Sequence, residues 1–231
     1  EMSASLVGSE MCIRDSGITL DLACGTGSLT TELALKGIDV YGIDASAEML
    51  SEAMQKSSEK GLNILYLKQK MQNLNLYGTI DTCICTLDSI NHITKEEDVT
   101  KAFERVAFFM DKDGLFVFDV NTVYKHEQVL ANNTFVYETD KVFCVWQNTL
   151  RENCVTDIDL DFFEEENGIY YRTSESFSER GYSREKLTEM LVNAGFELEA
   201  VYGDMSFDEP KADEQRLVFV ARMKNPINKE C

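Results

Sequence analysis

Hydrophobic and polar positions change period several times along the chain, and each change marks an element. Ile18 to Asp21 reads as a short strand, small residues and glycines follow, and Ser28 to Lys36 is helix-like. Gly37 ends that helix and Asp39 to Ile43 reads as a second strand. Met49, Leu50, Ala53 and Met54 then give one apolar face at helical spacing. Asn63 to Leu67 is a third strand and Asp81 to Thr86 a fourth, on which Cys83 and Cys85 share a face. Thr94 to Glu97 has the form of a capping box, and Phe103, Val106, Ala107 and Met110 follow at i, i+3, i+4 and i+7. After a turn at Lys112 to Gly114, Leu115 to Val120 is a nearly continuous apolar run, as expected of a parallel strand covered on both faces.

From Tyr124 the pattern alternates with a period of two. After a helix-like piece, Lys125 to Leu130, four segments read as antiparallel strands: Thr134 to Glu138, Lys141 to Leu150, Cys154 to Phe163 and Ile169 to Phe177. Asp157, Asp159 and Asp161 alternate with Ile158, Leu160 and Phe162, one face wet and one buried; an EF-hand loop needs glycine where Phe162 stands, so the acids read as a solvated face. Trp146, Phe162, Phe163, Tyr170 and Tyr171 are candidates for a pocket wall, a subunit contact in a homodimer, or core. The helical period returns with Leu187, Met190, Leu191 and Ala194, stopped by Gly195, and Glu197 to Tyr202 and Arg216 to Lys224 are the last two strands. The order predicts an α/β chain with an antiparallel β insertion at about residues 124–180.

The candidate chemistry gathers at Leu20 to Gly27, Leu-Asp-Leu-Ala-Cys-Gly-Thr-Gly, a strand, a tight turn and a helix N-terminus. Gly25 and Gly27 allow sharp turning and close approach to a ligand, and free N–H groups at the helix start favour a polar or anionic group. A dinucleotide fingerprint requires a third glycine where Thr30 stands, which disfavours a NAD(P)-dependent oxidoreductase. Asp44, at the end of the second strand, is placed to accept both hydroxyls of a ribose; Ser46 is the more natural helix cap.

Asp21 followed by Ala23, Gly25 and Gly27 resembles motif I of the Rossmann-like S-adenosylmethionine-dependent methyltransferases. The resemblance covers Gly17 to about Lys224. It implies a seven-stranded, mostly parallel sheet with an antiparallel last strand, and S-adenosyl-L-methionine as cofactor, held by Asp21, Ala23, Cys24, Gly25, Thr26, Gly27, Asp44, Ala45, Met71, Gln72, Leu87 and Asp88. Lys70 stands where the family usually has an acid beside the adenine, and Met71 either covers the adenine or packs. Ligands of open α/β sheets sit beyond the carboxyl ends of the strands. There Asp88 and His92 are the candidate bases, and Asn91, His92, Asp119 and Asn121 are candidates to line the acceptor site; His92 serves as base or as hydrogen-bonding partner. Tyr182, where the insertion rejoins the main fold, is a further candidate for that site, and His126 a lesser candidate base.

Charge and cysteine usage narrow the partners. The net charge is −19, from 22 basic and 41 acidic residues, with no basic stripe, so nucleic acid is disfavoured as a substrate. Seven cysteines without a Cys-x-x-Cys pair, and two histidines, indicate neither a disulfide framework nor a metal site, and fit a cytoplasmic protein. No apolar run approaches the ~20 residues of a membrane span. Leu6 to Ser16 resembles translated sequencing-adapter DNA, so residues 1–16 are read as a non-native or disordered leader in place of the helices that lid the cofactor in related proteins, and 17–231 as the methyltransferase domain. The expected activity is in-line methyl transfer to a small-molecule acceptor; the alternative is a noncatalytic cofactor-binding protein of the same fold.

Overall fold

A computed structural model describes residues 17–224, and the leader assigned to residues 1–16 lies outside them. The main unit runs β1 (Thr19–Leu22), α1 (Ser28–Leu35), β2 (Val40–Asp44), α2 (Ala47–Glu59), β3 (Tyr66–Lys68), β4 (Ile80–Cys85), α3 (Glu96–Phe109) and β5 (Met110–Asn121). It resumes with α4 (Arg184–Asn193), β10 (Phe196–Gly203) and β11 (Arg216–Met223). These strands form one seven-stranded sheet in the order β10-β11-β5-β4-β1-β2-β3, in which β11 runs antiparallel to both its neighbours. Between β5 and α4 the chain makes a second, wholly antiparallel sheet of β6 (Thr134–Glu138), β7 (Val142–Leu150), β8 (Val155–Glu166) and β9 (Ile169–Arg180). Both sheets follow the expected architecture.

Local chemistry explains most element starts. The Ser46 hydroxyl accepts the Met49 N–H (3.2 Å) to open α2, and Ser183 does the same for Lys186 N–H (3.2 Å) to open α4. The expected capping box is not formed: the cap position of α3 falls on Lys95, without a side-chain bond. Three acids, Glu96, Glu97 and Asp98, favour that helix start through its dipole instead, while the Thr94 carbonyl accepts from Arg180 (3.1 Å). Met110 leaves the helix and opens β5 opposite Ile80. The apolar face of α2 is narrower than expected, with Leu50 and Ala53 buried and Met49 and Met54 exposed.

The core lies between the sheet and the α3–α4 layer. Phe103 of α3 meets Phe116 and Phe118 of β5 at ring-centroid distances of 5.6 and 5.3 Å, and Phe118 stacks on Phe219 of β11 at 4.9 Å. All four rings are fully buried, each worth roughly 1.5–3 kcal/mol of transfer free energy. β5 is not covered equally on both faces: Phe116 and Phe118 are buried, whereas Leu115 and Val117 are half-buried. On the inserted sheet, Ser178, Ser176 and Ser174 donate to Asp157 (2.7 Å), Asp159 (2.5 Å) and Asp161 (2.5 Å), a solvated polar ladder, while Ile158 and Thr156 on the other face are buried.

One side chain clasps the two stems of the insertion. Fully buried Asn91 donates from Nδ2 to the carbonyls of Asn121 (3.0 Å) and Arg180 (2.9 Å), and its Oδ1 accepts the Asn121 N–H (2.9 Å).

Candidate active site

The loop after β1 is built around left-handed residues: Ala23 (φ 62°), Gly25 (φ 54°) and Gly27 (φ 66°). Its two glycines serve different ends. At Gly25 a Cβ would meet nothing within 4 Å, so that side is open. At Gly27 it would strike the Tyr66 hydroxyl at 2.7 Å and the Ala53 Cβ at 2.8 Å, so Gly27 permits packing on α2 and β3 and does not line the cavity. Thr30, fully buried where a dinucleotide site needs its third glycine, donates to Asp21 Oδ2 (2.6 Å). Burial raises the Asp21 pKa, and burial pushes the Cys24 thiol up to about 12, which keeps it protonated near neutrality.

Asp44, at the end of β2, braces this loop. Its Oδ2 accepts the Gly25 N–H (2.9 Å) and its Oδ1 the Ser46 N–H (2.8 Å). Each carboxylate oxygen still has a lone pair to offer. Lys56 of α2 ties down the far side, donating to the Thr26 carbonyl (2.9 Å) and to Ser28 Oγ (2.8 Å).

Beyond these strand ends lies a cavity of about 490 Å3, within the range of small-molecule and cofactor sites. Of the residues singled out from sequence, it brings together Asp21, Ala23, Cys24, Gly25, Thr26, Asp44, Ala45, Met71, Leu87 and His92. Ser28, Leu29, Ser46, Met49, Gln69, Thr86 and Ser89 also line it and were not anticipated. Gln72 instead lines an adjoining groove of about 300 Å3 with Lys70, Lys95 and His92. Trp146, Phe162, Phe163, Tyr170 and Tyr171 line neither.

Several expected contacts are turned elsewhere. Leu87 (φ 58°) and Asp88 (φ 51°) are consecutive left-handed residues, each costing ~1–2 kcal/mol. The turn is held because the Asp88 N–H donates to Asp119 Oδ2 (3.0 Å). Arg216 of β11 binds Asp88 Oδ1 (2.7 Å) and, with its other nitrogen, Asp119; Asn121 Nδ2 donates to Asp88 Oδ2 (3.0 Å). Asp88 therefore does not line the cavity, and Asp119 and Asn121 are buried structural partners. Asn91 is consumed by the insertion stems, and the Tyr182 hydroxyl donates to the Ile93 carbonyl from within the core, with its pKa pushed up to about 12 by burial.

His92 lines the cavity half exposed, its ring 5.2 Å from Phe177 of the insertion. Burial lowers its pKa, opposed by Asp88 and Asp44. Its Nε2 faces Glu179 Oε1 at 3.7 Å, and Glu179 Oε2 faces the Nε2 of wholly buried His126 at 4.0 Å. Burial, then Asp88, raises the Glu179 carboxyl to about 7, while burial and Lys125 depress His126 to about 4. Glu179 was missed from sequence, although an acid beyond Phe177 on the apolar side of β9 is the signal that marks it. Ligand-type atoms of Asp88, His92 and Glu179 lie within 4.8 Å of one another, and the Arg216 guanidinium already occupies the cationic position at Asp88.

Residues 19–114 match a family described as a methyltransferase domain. The chain is 35% identical over 220 residues to YqeM of Bacillus subtilis (strain 168), which bears a methyltransferase name, covering 94% of this chain and 89% of that protein. A crystal structure of an S-adenosylmethionine-dependent methyltransferase from Clostridium acetobutylicum ATCC 824 is similar with a TM-score of 0.86 at 32% identity, covering 96% of this chain and 91% of that one. SAM-bound CalS10 from Micromonospora echinaspora, an amino pentose methyltransferase, shares the fold at a TM-score of 0.73 and 18% identity, over 96% of this chain and 89% of that one. Sheet order, glycine loop and relatives agree, and the chain belongs to the S-adenosylmethionine-dependent methyltransferases.

Proposed function

We propose that the chain moves the methyl group of S-adenosylmethionine to a small-molecule acceptor that carries a proton on its nucleophilic atom, and that His92 receives this proton. The observation that carries the reading is the position of His92, the one imidazole lining the cavity, where the adjoining groove begins and beside Phe177 of the inserted sheet. The donor set fits the cofactor. Asp44 offers its remaining lone pairs to ribose hydroxyls, the open side of Gly25 admits close approach, and Met49, Met71 and Leu29 give an apolar surface for a base. The cofactor supplies an electrophilic methyl carbon on a sulfonium, with a neutral thioether as leaving group.

The chain's own part is alignment and proton transfer. The loop is pinned by Asp44 and Lys56, so it loses little freedom when a ligand arrives. With Nε2 turned toward Glu179, Nδ1 is the His92 atom left to take the acceptor's proton as the new bond to carbon forms and the bond to sulfur breaks. A cavity of this size favours a small acceptor.

Calorimetry with S-adenosylmethionine is expected to give saturable one-site binding, and no binding overturns the reading. Incubation with methyl-labelled cofactor and a whole extract should place label in the low-molecular-mass fraction. Label confined to macromolecules refutes the small acceptor; binding without labelled product supports the noncatalytic alternative.

A further inference from the structure

The insertion reaches the site at His92, beside Phe177. We infer that Glu179, on the last strand of the inserted sheet, is a positioning residue that joins the imidazoles of His92 and His126 and so controls how readily His92 takes a proton. The inference rests on the proposed role of His92.

Three observations meet here. The Glu179 side chain is buried between two imidazole nitrogens, at 3.7 Å from His92 and 4.0 Å from His126. His126 Nδ1 is paired with Thr156 Oγ1 (2.9 Å), whereas its Nε2 has no hydrogen-bond partner and faces the carboxyl. A buried nitrogen left unpaired is costly, so its alignment on Glu179 needs a reason beyond packing. Thr156 is also the cross-strand partner of Glu179, so neighbouring strands of the insertion fix both the carboxyl and the second imidazole.

The groups facing Glu179 set its charge. Asn121 Nδ2 donates to it at 3.5 Å, Lys125 and Arg216 favour the carboxylate, and burial and Asp88 oppose it. With the carboxyl raised to about 7, Glu179 is about half ionised near neutrality, while the lowered imidazole of His92 beside it is mostly neutral. Where Glu179 is ionised, an imidazolium forming at His92 gains a counter-charge. Where it is protonated, His92 has to carry its charge in a partly desolvated place without that help. Proton uptake by His92 therefore becomes easier as pH rises through about 7.

The chain has two histidines, which makes the link directly measurable. The imidazole Cε1–H resonances of isotope-labelled full-length protein are followed against pH with S-adenosylhomocysteine bound, and assigned with His126→Gln. The His92 signal is expected to show, besides its own titration, a second inflection near pH 7 that Glu179→Gln abolishes. Identical His92 curves in native protein and Glu179→Gln overturn the inference. If Glu179→Gln does not fold, His92→Gln replaces it, with the Glu179 carboxyl carbon as reporter: loss of the His92 inflection supports the link and an unchanged curve refutes it. Calorimetric binding of S-adenosylhomocysteine by the native protein separates the two failures. Absent binding strikes the cofactor reading, whereas intact binding with uncoupled resonances strikes only the role of Glu179.

Discussion

Neutral isosteres at Glu179 and His126 should separate two pH dependences of stability that oppose one another in the native chain. Glu179 moves from an ordinary 4.5 to about 7 on folding. Between those values the unfolded chain has released a proton that the folded chain keeps, so this carboxyl's contribution to stability falls as pH rises, by ~3 kcal/mol at about 1.4 kcal/mol per pH unit. His126 moves the other way, from 6.5 to about 4. The unfolded chain takes up a proton that the folded chain refuses, so stability falls as pH drops through that window, again by ~3 kcal/mol. From 4.5 to 6.5 the slopes have opposite signs and cancel. Glu179→Gln should leave the histidine slope, with stability rising from about pH 4 to pH 6.5, and His126→Gln the carboxyl slope, with stability falling from 4.5 to about 7. Urea unfolding followed by the fluorescence of Trp146 gives the measurement, since ~3 kcal/mol moves the midpoint by roughly 1–2 M at ordinary slopes. Taking each variant minus native protein removes the contributions of distant groups. Variant slopes equal to the native one, or of the same sign as each other, refute the reasoning.

The two loop glycines should fail in different assays. Gly25→Ala puts a left-handed methyl on the open side and should weaken S-adenosylmethionine binding in calorimetry at a stability cost of ~1–2 kcal/mol, whereas Gly27→Ala adds collision with Tyr66 and Ala53 and should cost ~2–4 kcal/mol in urea unfolding. Asp44→Ala loses the Gly25 and Ser46 bonds together with the proposed ribose contact, so affinity should drop by ~2–3 kcal/mol; unchanged affinity by calorimetry removes Asp44 from the site. Arg216→Met leaves Asp88 and Asp119 without their shared cation and should cost ~3 kcal/mol, with Asp119→Asn in the same chain restoring part of the melting temperature.

Periodicity carried the fold. The change from helical to alternating spacing at Tyr124 located the inserted sheet, and Gly195 marked the end of the last helix, because these are local signals. The glycine loop and Asp44 were legible for the same reason, since one strand–helix–strand unit brings them together across 19 residues. The polar cluster was not. Arg216 reaches Asp88 across 128 positions and Asp119 across 97, so nothing local announced that these acids were already paired. Asn91 looked like a pocket residue because it follows a strand end and Tyr182 because the insertion rejoins the main fold there, and only packing shows their polar atoms spent on backbone carbonyls. The capping box failed because Thr94 lies one residue before the cap position, Lys95, and its carbonyl is taken by Arg180.

The clasp at Asn91 has an evolutionary consequence. Because one amide fixes both the point where the chain leaves the main sheet and the point where it returns, the segment between them behaves as a graft on a fixed stem. Its strands can lengthen, shorten or change their exposed faces while the catalytic sheet keeps its register. What such a graft has to preserve is small: the stem asparagine, and the one strand position that presents an acid to His92. Divergence of acceptor preference among relatives would then be concentrated in β6 to β9 and leave the glycine loop untouched.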